Sequence, residues 1–189
     1  MATPWWVNLL ALTPLLCFFW WRRGLRLSGW QLVYAALYAI AFGFVEAVVV
    51  VYLRAAMGLL PGFESSLIEA QKHATEVAAQ VELLHRFPAP FLRVEAQREA
   101  ATILMHVGVA LVATPFRRER IAMFLWCFAW WDLIYYAGLW LTIRWPESLH
   151  SADVLFLIPE PWLAQVWFPI GVSTLMLIAI AWRSARTPR

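Results

Sequence analysis

The stretch FLRVEAQREAATILMHVGVALVA, residues 91–113, decides how the rest of the chain is interpreted. It is apolar enough to enter a membrane, yet it contains Glu95, Glu99, Thr102 and His106. At about 100° per residue, these four side chains fall within about 60° of one another on a helix. A helix over this stretch would therefore carry one polar stripe that leads inward from its charged end.

The composition of the chain is that of an integral membrane protein. Of its 189 residues, 62% are hydrophobic and 14% are charged, whereas about a quarter of the residues of a soluble domain are charged. The net charge of +3 does not indicate nucleic acid, because most of the basic residues lie in three short clusters beside apolar segments. These clusters are Arg22, Arg23 and Arg26, then Arg117, Arg118 and Arg120, then Arg183, Arg186 and Arg189. We therefore predict contact with a lipid bilayer and no nucleic-acid partner.

Five apolar segments are predicted to cross the membrane, whose hydrocarbon layer is about 30 Å thick. These spans are residues 5–21, 30–53, 91–113, 121–143 and 162–182. The basic clusters follow the first span, precede the fourth and follow the fifth. Because basic residues concentrate on the cytoplasmic side, we predict that the N-terminus lies outside and the C-terminus inside. The predicted fold is all-α, a single membrane helical bundle over residues 1–189.

Two segments on the outer side are too polar or too short to span. Residues 64–86 begin with a capping-box pattern, Ser66 and Glu69, and continue with apolar residues at heptad-like spacing. They predict an amphipathic helix that docks a protein partner. Residues 144–161 have prolines at both ends, so we expect a short interfacial helix or a re-entrant segment buried in protein.

Several titratable residues fall within the predicted spans. A rise of about 1.5 Å per residue places Glu46 and Glu99 about 10 Å below the outer boundary, with Asp132 and His106 at about 16 to 20 Å. A charge at this depth costs about 2.5 to 3.5 kcal/mol, so these groups should face one another or water. Glu46, Glu99 and Asp132 are therefore candidate catalytic acid or base groups. Tyr135 and Tyr136 lie on the same side of their helix as Asp132 and could donate hydrogen bonds to it.

A structural interpretation competes with the functional one. Arg98 lies at the depth of Glu99, and an ion pair with Glu46 or with Asp132 would lock the helices together without any ligand. A single histidine such as His106 is more often a packed, hydrogen-bonded residue than a ligand.

A transition-metal cofactor is the more specific functional alternative. Carboxylate and imidazole groups suit iron, manganese, zinc or copper. The candidate ligands are Glu46, Glu95, Glu99, His106 and Asp132. Di-metal helical bundles need two Glu-x-x-His pairs, however, and the chain has one, Glu82 with His85.

A second metal site is conceivable on the helix predicted over residues 64–86. Glu69, His73 and Glu76 share one face of that helix, away from Glu82 and His85. A solvated polar face explains the same pattern more simply.

Parts of the chain resemble an uncharacterised family of small bacterial polytopic membrane proteins. The resemblance lies in WDLIYY at 131–136 and WPESLHSADVLFLIPEPW at 145–162, and extends to FVEAVVVVYLR at 44–54 and REAAT at 98–102. It implies a five-helix protein of the bacterial cytoplasmic (inner) membrane, and it brings no activity, cofactor or catalytic residue. Glu160 stands where that pattern has an apolar residue, which indicates that this part of the segment 144–161 is exposed to water.

Three functions follow as hypotheses. The first is a non-catalytic subunit or scaffold of a larger membrane assembly, with a buried charge cluster. The second is a metal-dependent membrane oxidoreductase or hydrolase whose carboxylate and histidine site opens to the outer face. The third is a small proton-coupled carrier that uses Glu46 and Asp132 as proton sites.

Overall fold

Five α-helices and one short hairpin form the part of the chain that the structure, a computed structural model, describes: residues 2–22, 24–56 and 87–185. The helices are α1 (Thr13–Trp20), α2 (Gly29–Ala56), α3 (Ala89–Ala113), α4 (Arg117–Ile143) and α5 (Trp167–Ala185). A 3-10 helix, Trp5–Leu12, runs directly into α1. The prediction of a mostly helical chain is confirmed.

Three of these helices, α2, α4 and α5, are long and apolar enough to cross a membrane. The segment Trp5–Trp20 is apolar but shorter. Helix α3 has 25 residues, and its N-terminal half carries Arg93, Glu95, Arg98 and Glu99. Insertion into a membrane and the number of five spans stay predictions.

Residues 144–161 do not form the interfacial helix that the sequence predicted, and the chain is therefore not all-α. Strand β1 (Ala152–Phe156) pairs antiparallel with β2 (Trp162–Gln165), with Ala152 opposite Gln165. Pro159 and Pro161 lie between the two strands, where proline disfavours a helix but is compatible with a turn. Because β2 uses the first residues of the predicted fifth span, α5 begins at Trp167. The depth of this hairpin in a membrane, including the re-entrant alternative, stays a prediction.

A two-stranded hairpin alone is marginally stable, and here other parts of the chain support it. Thr3 pairs with Leu163 of β2 through two backbone N–H···O bonds of 2.8 Å, which extends the pairing to a third segment. At the other end of the hairpin, the N–H of Trp167, the first residue of α5, donates to the Leu149 carbonyl at 2.9 Å, three residues before β1. The hairpin is thereby fixed to the N-terminal segment and to the start of α5.

The predicted outer helix over residues 64–86 lies outside the described residues. The same holds for its second candidate metal site, Glu69, His73 and Glu76, and for the pair Glu82 and His85. These predictions are neither confirmed nor contradicted.

Helices α2 and α4 form the most extensive contact among the described helices. Their contact uses a row of small buried residues on α2, four positions apart: Ala35, Ala39, Gly43 and Ala47. A Cβ atom on Gly43 would lie 2.6 Å from the Trp131 carbonyl oxygen, so only glycine permits this backbone approach. Small residues at such spacing let two membrane helices pack closely. The approach also brings Glu46 and Asp132, which neighbour these contact positions, to one level of the bundle.

Basic residues connect the helices at the end of the bundle where α1 ends. Arg118 of α4 donates to the Trp20 carbonyl at 2.8 Å, and Arg183 of α5 donates to the Phe18 carbonyl at 2.7 Å. Both acceptors lie at the C-terminal end of α1, where carbonyl groups lack helical partners and cations are favoured. Two of the basic clusters therefore also hold α1 against its neighbours.

Substitution Gly43→Ala tests the close approach of α2 and α4. The added methyl group must displace the backbone of α4, which is expected to lower the free energy of unfolding by about 1 to 3 kcal/mol. Gly108→Ala is the matched control, because nothing lies within 4 Å of the added Cβ atom there. Chemical unfolding in detergent measures both variants. Equal stability of the two would contradict this packing.

Candidate functional site

A cavity of about 90 Å³ lies between the hairpin and the four helices α2 to α5. The charged part of its described lining consists of Glu46, Arg98, Glu99, Asp132 and Asp153. Tyr135, Tyr136 and Ser173 add hydroxyl groups, and aromatic side chains, Trp131 among them, complete the wall. The structure thus brings the three candidate catalytic residues, Glu46, Glu99 and Asp132, to one cavity. Their roles stay predictions.

Arg98 joins α3 to α2 at this cavity. Its guanidinium forms an ion pair with Glu46 of α2 and a second ion pair with Glu95, one turn away on its own helix, where Nη2 to Oε2 is 2.9 Å. Thr102 lies beside Glu46, with its hydroxyl oxygen 3.4 Å from the Glu46 Oε1 atom. The Glu46 side chain is 5% exposed, so its charge depends on Arg98 for compensation.

Glu99 joins α3 to the tip of the hairpin. Its Oε2 atom accepts a hydrogen bond of 2.8 Å from the backbone N–H of Leu157, the residue after β1. A carboxylate acceptor makes such a bond stronger than a bond between two neutral groups. The polar stripe of α3 therefore includes a contact to a segment 58 residues further along the chain.

Two further carboxylates accept hydrogen bonds from neutral hydroxyl groups. The Ser173 hydroxyl of α5 donates to Asp132 Oδ2 of α4 at 2.7 Å, and the Tyr136 hydroxyl donates to Asp153 Oδ2 of β1 at 2.9 Å. All four residues are buried. The first bond ties α4 to α5, and the second ties α4 to the hairpin.

Asp153 is the charged site residue that the sequence analysis missed. It lies outside the predicted spans, so an argument from membrane depth did not select it. Burial raises the pKa of its carboxyl group to about 6, although the positive charge of Arg54 and the Tyr136 hydrogen bond act in the opposite direction. The signal in the sequence was an acidic residue directly before the apolar run VLFLI.

His106 does not line the cavity. Its ring is fully buried and is surrounded by five aromatic rings, with centroid distances of 5.6 to 6.4 Å. These rings belong to Tyr38, Phe42, Phe124, Phe128 and Trp131. Its Nδ1 atom lies 2.8 Å from the Thr102 carbonyl oxygen, and because a carbonyl only accepts, Nδ1 carries the hydrogen. The position of His106 is that of a packed side chain.

The metal hypothesis gains no support from this geometry. Within residues 2–22, 24–56 and 87–185, no group of three His, Cys, Asp or Glu side chains is arranged to hold a metal ion. Of the five candidate ligands, Glu95 and His106 lie off the cavity, Glu46 is paired with Arg98, and Glu99 and Asp132 accept separate hydrogen bonds.

The arrangement has two chemical consequences. Carboxylates line the cavity in excess of the single guanidinium of its described lining, so the cavity favours positive charge, including protons. Each of these carboxylates also connects two segments of the chain.

Comparison with protein-family models, curated proteins and solved structures found no match to this chain.

Two substitutions of His106 separate packing from ligand chemistry. His106→Ala should lower the free energy of unfolding by about 3 kcal/mol, because it leaves a cavity among the aromatic rings. His106→Phe fills the same space and should cost less than about 1.5 kcal/mol. Thermal unfolding in detergent compares the two variants. If the phenylalanine variant is as unstable as the alanine variant, the polar atoms of the imidazole matter more than its volume.

Proposed function

We propose that the chain is a polytopic protein of the bacterial cytoplasmic membrane, with its N-terminus outside. Helices α2, α4 and α5 support this proposal by length and composition. The segment Trp5–Trp20 supports a further crossing, because eight 3-10 residues and eight α-helical residues extend over about 28 Å. Large apolar side chains on the outer surface of the bundle, such as Val112 at 91% exposure, suit contact with lipid.

Within the membrane, we propose a non-catalytic role as a subunit or scaffold whose buried charges lock the bundle. One observation carries this proposal: each carboxylate that lines the cavity already has a partner from a different segment of the chain. The pairs are Glu46 with Arg98, Glu99 with the Leu157 amide, Asp132 with Ser173, and Asp153 with Tyr136. Groups that are held in this way stabilise one arrangement of helices and hairpin.

The partner of such a subunit is proposed to dock on the amphipathic helix predicted over residues 64–86. The support for this part is the sequence alone, that is, the heptad-like spacing of its apolar residues and its capping box. The cavity lies toward the ends of α2 and α3 that border residues 57–88 in the sequence, since Glu46 belongs to the C-terminal half of α2 and Glu99 to the N-terminal half of α3.

A double-mutant cycle on Arg98 and Glu46 tests the lock. Arg98→Gln removes the counter-charge of a buried carboxylate and should lower the free energy of unfolding by about 3 kcal/mol. In the double variant with Glu46→Gln, no buried charge is left unpaired at this pair, so part of the loss is recovered and the coupling energy should be about 1 to 3 kcal/mol. Chemical unfolding in detergent provides the measurement.

Arg93→Gln is the matched control for this cycle. Arg93 is an exposed residue of the same helix, so its loss should change the free energy of unfolding by no more than about 0.5 kcal/mol. A coupling energy near zero between Arg98 and Glu46 would contradict a charge lock, whatever the effect of either single substitution.

The second candidate function is a membrane enzyme with an acid and base site, and the cavity is the observation that favours it. Glu46, Glu99 and Asp132 share this cavity with Tyr135, which provides a further proton donor. In this case Glu99→Gln and Asp132→Asn would abolish turnover while leaving the fold intact. The proton-coupled carrier, with Glu46 and Asp132 as proton sites, remains the third hypothesis.

A further inference from the structure

The hairpin forms one wall of the cavity. Asp153, Val154, Leu155 and Phe156 of β1 and Trp162 of β2 line it, and the opposite walls are helical. Two of the four carboxylates of the cavity, Asp153 and Glu99, make their hydrogen bonds through the hairpin. Displacement of this one element would therefore open the cavity on that side.

The two edges of the hairpin are fastened differently. Strand β2 is held by backbone bonds, through Leu163 to Thr3 on one side and to β1 on the other. Strand β1 packs Phe156 against Phe128 and Trp131 of α4. Polar contacts add to this packing, through the Tyr136 hydroxyl to Asp153 and through Glu99 to the Leu157 amide. Both polar contacts end on a carboxyl group, so protonation weakens these bonds while it removes the cost of burying the charge.

Asp153 is enclosed by groups from each element around it. Helix α2 contributes Arg54, and helix α4 contributes Tyr135, Tyr136 and Asp132. Helix α3 brings Arg98 and Glu99 to the same cavity, and α5 brings the uncharged Ser173. Asp153 itself is 7% exposed, whereas an open hairpin would return its carboxyl group to water.

We propose that the β1–β2 hairpin is a lid over this cavity and that closing the lid takes up a proton at the Asp153 carboxyl group. The lid needs only the cavity and the hairpin, so it does not depend on whether the protein is a scaffold or an enzyme.

The sign of the coupling follows from the two environments of Asp153. In the closed state burial raises the pKa of this carboxyl group from 3.8 to about 6, and in an open state water restores the ordinary value. A group whose pKa is raised on closing favours the closed state at low pH. The advantage is complete below about pH 4 and is lost as the pH rises through about 6. At its full size, this coupling raises the ratio of closed to open lids about 100-fold.

Cysteine labelling in detergent measures the lid directly. In a background with Cys17 and Cys127 replaced by alanine, Val154→Cys places a thiol on the cavity wall, and Glu147→Cys, at an exposed position, corrects for the reactivity of the thiol itself. Between about pH 5 and about pH 8, the corrected labelling rate at position 154 should rise about 10-fold.

Three variants assign this pH dependence to Asp153. Asp153→Asn should remove it, since no proton is then exchanged. Arg54→Gln and Tyr136→Phe should each move its midpoint to higher pH, because each removes a group that favours the charged carboxylate. These two variants decide the matter if the Asp153 variant does not fold.

Three results would overturn the lid. The first is equal labelling of position 154 at both pH values, and the second is a pH dependence that survives Asp153→Asn or keeps its midpoint in both other variants. The third is a labelling rate that follows added sodium or methylammonium instead of pH, which would mean that a cation rather than a proton neutralises the cavity.

Discussion

The guanidinium of Arg98 is the group on which the polar interior of this protein depends. It compensates Glu46 on α2 and Glu95 on α3, and the Glu46 side chain is almost completely buried. A carboxylate in that position without a counter-charge costs several kcal/mol, so α2 and α3 are held in the register that keeps the pair together. This constraint is needed because α3 packs mainly on α4 and makes few direct contacts with α2.

The hairpin extends the same principle beyond the helices. Glu99, one residue after Arg98, holds the Leu157 amide, and Tyr136 holds Asp153. These polar contacts add direction to the apolar packing of Phe156 that also holds the hairpin, and small residues position α2 against α4. In an apolar environment these hydrogen bonds are directional, and they define one arrangement where hydrophobic contacts alone would permit several.

Some of this architecture could be predicted from the sequence, and the reasons differ between elements. The long apolar runs predict α2, α4 and α5, because composition and length alone identify such helices. The hairpin was not predicted, since a short apolar run between prolines has no periodicity that separates a strand from a helix. Asp153 was missed because its burial depends on that hairpin. His106 was placed on the polar stripe by helical geometry, but its surroundings are aromatic, and those rings come from other helices whose rotation the sequence does not specify.

Amide hydrogen exchange at Leu157 tests most directly whether buried carboxylates hold the hairpin to the bundle. Leu157 lies after the end of β1. If Glu99 binds its N–H, the amide should be protected in the wild type and should exchange at least about 10-fold faster in the Glu99→Ala variant, the equivalent of about 1.4 kcal/mol. Wild-type exchange at Leu157 as fast as that of a free loop amide, or protection unchanged by Glu99→Ala, would contradict the account.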